Sequence, residues 1–268
     1  MGVLITGCST GVGRAGAIAL AAAGLSVWAS ARKIDTIADL ADHGCQLVQL
    51  DVTDEQSRLA AMRTVGPLDA LVNNAGYAQA GPVEEVSLDR LRAQFETNVF
   101  GAIRLCQLAL PAMRERGRGL IVNVGSAGGL IGVPASAAYD MTKWSLEALS
   151  DALRMEVRRF GVRVSLLEPG GVVSAFAATQ ASTWPETVGP YERFRANHHE
   201  RMLRYTRPGA PGMSTPEQVA KVVLRAVTAT NPKARYKIGP AARMLPLLYR
   251  TLPTPLWDAF MTRLFPMT

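Results

Sequence analysis

The sequence predicts one doubly wound α/β domain, a parallel sheet with helices on both faces, and three observations support it. Short apolar runs alternate with stretches of helical period, the rhythm of strand–helix–strand units. The first run ends in a glycine-rich turn that opens an alanine-rich segment. No composition shift, linker or internal repeat divides the 268 residues, a length at which doubly wound chains often stay single, so 1–268 is read as a single domain.

Val3-Leu-Ile5 is the first strand, followed by Thr6-Gly-Cys-Ser-Thr-Gly-Val-Gly13 and a helix from Ala15 to Ala23 closed by Gly24. Strand, glycine loop and helix form a phosphate-binding arrangement of the Rossmann type, with backbone N–H groups at the helix start aimed at an anion. Gly7 permits the tight turn, Gly11 lets the backbone approach a pyrophosphate, and Gly13 lets the helix pack closely on the sheet. Ser9, Thr10 and Val12 complete the candidate loop. Met1-Gly-Val-Leu-Ile-Thr6 also fits an N-myristoylation pattern, but the strand needs the same residues.

Leu25–Ser30 reads as the second strand, leading into Ala31-Arg32-Lys33. A site for NAD places a carboxylate here for the ribose 2′-OH, whereas a 2′-phosphate calls for a cation. Arg32, with the Ser9 hydroxyl, therefore predicts NADP(H) over NAD(H); Asp35 lies beyond the strand end. Gln46–Leu50 is the third strand, ending in Asp51-Val52. Asp51 is either an acceptor for the adenine amino group or a cap for the helix from Asp54 onward, or both.

Leu68–Val72, the fourth strand, runs into Asn73-Asn74-Ala75-Gly76, which suits a close backbone approach with fixed hydrogen bonds or a simple turn. Ser87–Arg116 reads as a long amphipathic helical region with Asn98 inside it, an unfavourable helix-interior residue that invites a functional explanation. Leu120–Val124 is a fifth strand between Gly119 and Gly125. Ser126 thereby falls at a strand's C-terminal end, where open parallel sheets bind their ligands. In the helix of Ser136–Phe160, apolar residues from Trp144 to Val157 recur at helical spacing, and Tyr139 and Lys143 share one face. An ammonium beside a phenol favours the phenolate, so Tyr139 is expected to titrate below the ordinary tyrosine range and to act as acid or base. Val162–Leu167, the sixth strand, ends in Glu168-Pro-Gly-Gly-Val-Val-Ser174.

Composition narrows the classes. A hydrophobic share of 48% supports a sizeable core, and no run reaches the ~18 to 20 apolar residues of a membrane span. With the first strand starting at Gly2, no signal peptide is expected, and a cytoplasmic protein is. Cys8, Cys45 and Cys106 have neither pairing nor metal-ligand spacing, so reduced thiols and no metal site are expected. The net charge of +7 is dispersed and accompanied by no nucleic-acid motif, so no nucleic-acid partner is expected.

Thr6-Gly-x-x-x-Gly-x-Gly13, Asn73-Asn-Ala-Gly76, Asn98, Ser126, Tyr139-x-x-x-Lys143 and Pro169-Gly170, in this order and spacing, resemble the short-chain dehydrogenase/reductases nearly end to end. The resemblance implies that Tyr139 is general acid or base, that Ser126 hydrogen-bonds the substrate oxygen, and that Lys143 binds the nicotinamide ribose and lowers the tyrosine pKa. It implies that Asn98 holds a water in a proton relay. For the cofactor it implies the glycine loop at the pyrophosphate, Asp51 and Val52 at the adenine, Asn74, Ala75 and Gly76 on the adenosine side, and Pro169, Gly170, Val172 and Ser174 at the nicotinamide carboxamide. Ser174 stands where a threonine is common. Gly125 replaces a frequent second serine, and Asp140-Met141 replaces smaller residues. A homodimer or homotetramer is expected on the same ground.

From about 176 to 213 the pattern dissolves into Trp184-Pro185, Gly189-Pro190, Asn197-His198-His199 and Pro208-Gly-Ala-Pro211-Gly212, and this segment is expected to cover the substrate. His198 and His199 could reach a substrate group, but with no partner motif they read first as surface or packing residues. The tail of about 236–268 is rich in Leu, Met, Phe and Trp with interspersed arginines. It reads first as a wall over an apolar pocket, then as a subunit contact, and last as a peripheral membrane surface, which Pro246, Pro253 and Pro255 weaken. The glycine loop and the apolar tail together resemble the branch acting on steroids, retinoids and similar lipophilic alcohols or ketones. The expected activity is thus NADP(H)-dependent interconversion of a carbonyl and an alcohol on a small apolar substrate. The alternatives are a non-catalytic NADP(H)-binding sensor or scaffold, and a nucleotide-sugar epimerase or dehydratase.

Overall fold

The computed structural model describes residues 1–185, 189–207 and 209–266. Seven strands form one sheet in the order β3-β2-β1-β4-β5-β6-β7, every neighbouring pair parallel. They are β1 (Gly2–Ile5), β2 (Ser26–Ala31), β3 (Gln46–Gln49), β4 (Ala70–Asn73), β5 (Gly119–Val124), β6 (Val162–Pro169) and β7 (Arg235–Ile238). The order reverses between β1 and β4, which opens a crevice at the strands' C-terminal ends.

Alternation along the strands supplies two cores. Val3 and Ile5 face α1 (Gly11–Ala22) and α8 (Pro216–Thr228), packing with Leu20, Val219 and Val223. Leu4, Leu71 and Ile121 face the other side and meet Leu105, Met113 and Leu153 from α4 (Gly101–Glu115) and α5 (Ala137–Val157). Helix α2 (Glu55–Val65) covers the same side beyond them. Among the described residues no helix is long and apolar enough to cross a membrane.

Four features differ from the sequence reading. The helical region of Ser87–Arg116 is α3 (Leu88–Phe95) and α4 joined through a π-helical turn at Glu96–Phe100 that carries Asn98. The segment of 176–213 holds two helices, α6 (Ala175–Ser182) and α7 (Glu192–Thr206); residues 186–188 and 208 of it lie outside the described residues. Helix α8 opens with a capping box in which the Thr215 hydroxyl accepts from the Gln218 N–H and Gln218 answers the Thr215 N–H, a Thr-x-x-Gln signal present in the sequence. The tail begins with β7, whose charged Arg235 and Lys237 alternate with buried Tyr236 and Ile238 and so hide an apolar run. Arg235 earns its place by pairing with Glu147 and Asp151 of α5 and with the fully buried Glu168 of β6.

After β7 come α9 (Ala241–Thr251) and α10 (Thr254–Leu264), separated at Pro253. Trp257 and Met261 are buried against Ile131 and Val133, in the loop between Ser126 and Tyr139.

Candidate active site

A cavity of about 580 Å³ lies over the C-terminal ends of the strands, and all but two of the predicted site residues line it. At one end are Gly7, Ser9, Thr10, Gly11 and Val12, with Arg32 after β2, Asp51 and Val52 after β3, and Asn74, Ala75 and Gly76 after β4. Ser126, Tyr139 and Lys143 share the cavity with Pro169, Gly170, Val172 and Ser174. Gly13 and Asn98 are buried and do not line it.

The glycine loop is shaped by what it must avoid. Gly7 has φ +73°, and a side chain there would meet Ala75 Cα at 2.8 Å. Gly11 has φ +58° and begins α1 beside Thr10, which makes no side-chain cap. The first N–H groups of α1 are therefore left for an anion. Thr6, quoted in the motif without a role, ties this loop to the next. Its hydroxyl accepts the N–H groups of Asn74 and Ala75, each at 2.9 Å, while the Asn74 amide donates to the carbonyls of Thr6 (2.8 Å) and Gly7 (3.2 Å). Asn74 acts here as a brace. Only the fold, which brings residues 68 apart together, reveals it.

Asn98 likewise serves geometry. Its Oδ1 accepts from the Tyr77 N–H (3.1 Å), and its Nδ2 donates to the Tyr77 carbonyl (2.9 Å) and to Thr142 Oγ1 (3.1 Å). Both amide hydrogens clamp the loop of 74–77 to α5. The π-helical turn re-aims this side chain out of the regular helix ladder.

Asp51 does not cap α2. Its carboxylate accepts from the Thr53 N–H (2.9 Å) and hydroxyl (2.7 Å), and Asp54 is the cap, accepting from Ser57 at 2.6 Å. Burial alone would raise the Asp51 pKa, but the Thr53 bonds and the charges of Arg32 and Arg58 bring it below the ordinary value. Arg32 is exposed at the cavity rim.

Ser126, in extended backbone after β5, accepts from the Gly128 N–H at 3.1 Å. Glycine suits position 125, since a Cβ would lie 3.0 Å from the Leu167 carbonyl. Lys143 is buried and donates to the Val124 carbonyl at 2.8 Å, and burial pulls its pKa down to about 8. Its Nζ lies 5.5 Å from the centroid of the Tyr139 ring. The Tyr139 phenol shifts in the direction opposite to that expected. Crowding by protein atoms raises its pKa strongly, the Ser126 hydrogen bond lowers it in part, and the Asp140 carboxylate raises it further. Burial is the largest cause and sets the direction.

Asp140 occupies one of the two unusual positions beside Tyr139. It is buried, accepts from the Val133 N–H at 2.8 Å, and is pushed up to about 7 by burial. A carboxyl whose folded pKa is raised favours the fold while protonated, and that contribution is lost as pH rises from its unfolded pKa of ~4 through about 7. Asp140→Asn keeps the acceptor for Val133 and removes the titration. Its Tm is expected to decline less than the wild type's between pH 5 and 8; identical slopes in scanning calorimetry would refute this role for Asp140.

Neither histidine lines the cavity. His198 is buried at 5.0 Å from the Trp184 ring and stacked at 5.9 Å on Phe265, and burial takes its pKa down to about 4. His199 is exposed. No described residue of the tail lines the cavity either. Its described helices pack instead against the loop between Ser126 and Tyr139. Among the described residues, no group of three or more His, Cys, Asp or Glu side chains is arranged to hold a metal ion, and the three cysteines are free and buried.

Comparison with known proteins places the fold in a family. Residues 2–184 match the family model described as short chain dehydrogenase. The chain is 33% identical over 272 residues to the uncharacterised oxidoreductase YusZ of Bacillus subtilis (strain 168), covering 97% of this chain and 96% of that one. It is 35% identical over 278 residues to 17-beta-hydroxysteroid dehydrogenase type 1 of Homo sapiens, covering 97% and 83%. The crystal structure of a short-chain dehydrogenase from Streptomyces avermitilis superposes with a TM-score of 0.79 at 32% identity, covering 98% and 94%. The fold and site define an α/β oxidoreductase of the doubly wound class. The chain belongs to the short-chain dehydrogenase family.

Proposed function

We propose that this protein interconverts a carbonyl and an alcohol by hydride transfer with NADP(H), acting on a small lipophilic substrate. The observation that carries the reading is the convergence of Ser126, Tyr139 and Lys143 on the same cavity as the open N-terminus of α1. The residues present fit a dinucleotide. Uncapped N–H groups at α1 suit a pyrophosphate, Asp51 offers a carboxylate at the adenine end, and exposed Arg32 suits a 2′-phosphate. When bound, the nicotinamide supplies or takes the hydride.

The side chains then divide the remaining work. Ser126 donates to the substrate oxygen and orients it. Tyr139, protonated at neutral pH, gives its proton to that oxygen as the carbonyl is reduced and takes it back in the reverse direction. Lys143 sits against the tyrosine ring and holds the ribose, and its ammonium can hand a proton back to the tyrosine after the tyrosine has donated. Relatives named 17-beta-hydroxysteroid dehydrogenase type 1 (35% identical) and 3-ketodihydrosphingosine reductase (31% identical) favour a lipophilic substrate. A purely binding role has no use for the serine, tyrosine and lysine together.

NADPH oxidation, followed by absorbance against a panel of apolar ketones and aldehydes with NADH alongside, tests this reading. Turnover with preference for NADPH is expected. Arg32→Asp should cost NADPH roughly 10- to 100-fold in kcat/KM while sparing NADH, from loss of a charge-assisted bond and gain of a repulsion. Equal use of both cofactors by wild type and variant would overturn the NADP(H) assignment. Tight NADPH binding without turnover across the panel would favour the sensor or scaffold.

A further inference from the structure

Helix α6 presents Phe176, Thr179 and Gln180 to the cavity, the i, i+3, i+4 positions of one face. Phe176 meets the Tyr139 ring edge-on at 5.6 Å, which sets this face beside the reacting end. Gln180 lies one turn further, an axial rise of ~6 Å. It is only 8% exposed, and its amide makes no hydrogen bond to a described residue. Neighbouring hydroxyls are already used, Thr179 donating to the Ala175 carbonyl and Thr97 to that of Ala93, each at 3.1 Å.

Nor is Gln180 loosely held. Its carbonyl accepts from the Thr183 N–H at 3.1 Å and shares the single Thr183 hydroxyl proton, at 2.7 Å, with the Ala78 carbonyl. Thr183 is in turn pinned to the segment of 78–80, accepting from the Ala80 N–H at 2.9 Å and donating to the Ala78 carbonyl at 3.0 Å. An amide with no partner among the described residues, held in the wall of a cavity that Phe176, Met202 and Met213 also line, is left open to a ligand group that can both donate and accept.

We propose that Gln180 is a specificity-determining residue that hydrogen-bonds a second, neutral polar group of the substrate, about one helical turn beyond the reacting carbonyl. An amide both donates and accepts, so the group is a hydroxyl or carbonyl. This deepens the reading of a lipophilic carbonyl substrate and rests on it: the preferred molecule is a hydroxyketone or diketone on an apolar skeleton, not a plain hydrocarbon ketone.

The test compares a rigid polycyclic monoketone with the same skeleton bearing a hydroxyl at its far end. Wild type should favour the hydroxyketone by ~10-fold or more in kcat/KM, and Gln180→Leu should collapse that ratio toward one while leaving the monoketone rate unchanged. An unchanged ratio, or equal loss on both ketones, would overturn the proposal. Should neither ketone turn over, the proposed reaction would be in question, and calorimetric binding of the two compounds to the NADPH complex decides the role of Gln180 separately. Tighter binding of the hydroxyketone that Gln180→Leu abolishes supports it, and equal binding overturns it.

Discussion

Tyr139→Phe is expected to lower turnover by ~10²- to 10⁴-fold, the usual worth of a positioned proton donor, while NADPH binds as before. The substitution removes one oxygen. The ring that meets Phe176 at 5.6 Å and lies beneath the Lys143 ammonium at 5.5 Å is kept, so the local packing persists. The phenol is protonated through neutral pH, the form that can donate to a carbonyl. The loss should therefore appear in single-turnover reduction at pH 7, with NADPH affinity measured separately by fluorescence titration. A variant retaining most of its turnover would remove Tyr139 from the acid's role and with it the proposed mechanism.

The parts of this site that can be read from the sequence are those whose cause is local. Tyr139 and Lys143 share a face because they are four residues apart on a helix, and the glycine loop is encoded within eight consecutive residues. What escapes such reading depends on partners distant in sequence. The job of Asn98 is set by Tyr77, 21 residues away, and Thr142, 44 away. Strand β7 is concealed because its charges are matched by Glu147, Asp151 and Glu168 across the fold. The upward shift of the Tyr139 phenol has the same origin, since spacing reveals the nearby ammonium but not the burial that sets the direction. Helices α6 and α7 were hidden by the proline and glycine pairs around them.

The brace beneath the glycine loop makes Gly13→Ala the most damaging small substitution for cofactor binding. A methyl group there would collide with the Gly7 carbonyl oxygen and stand 2.5 Å from Asn74 Nδ2. Both are fixed: Asn74 donates to the carbonyls of Thr6 and Gly7, and Thr6 Oγ1 holds the N–H groups of Asn74 and Ala75. Relief requires either α1 to lift away from the loop, misplacing the N–H groups that suit a pyrophosphate, or the Asn74 bonds to break. Overpacking of this kind costs ~1 to 3 kcal/mol, a fall in Tm of roughly 2 to 10 °C for a chain of this size. NADPH affinity should fall at least ~10-fold, because the anion site itself is what moves. Gly24→Ala separates the two effects. Gly24 has φ +80° with nothing within 4 Å, so an alanine there strains the backbone by ~1 to 2 kcal/mol without touching the loop. The expected pattern is two destabilised proteins, of which only Gly13→Ala binds NADPH weakly; wild-type affinity in Gly13→Ala would show that the glycine loop is not the pyrophosphate site.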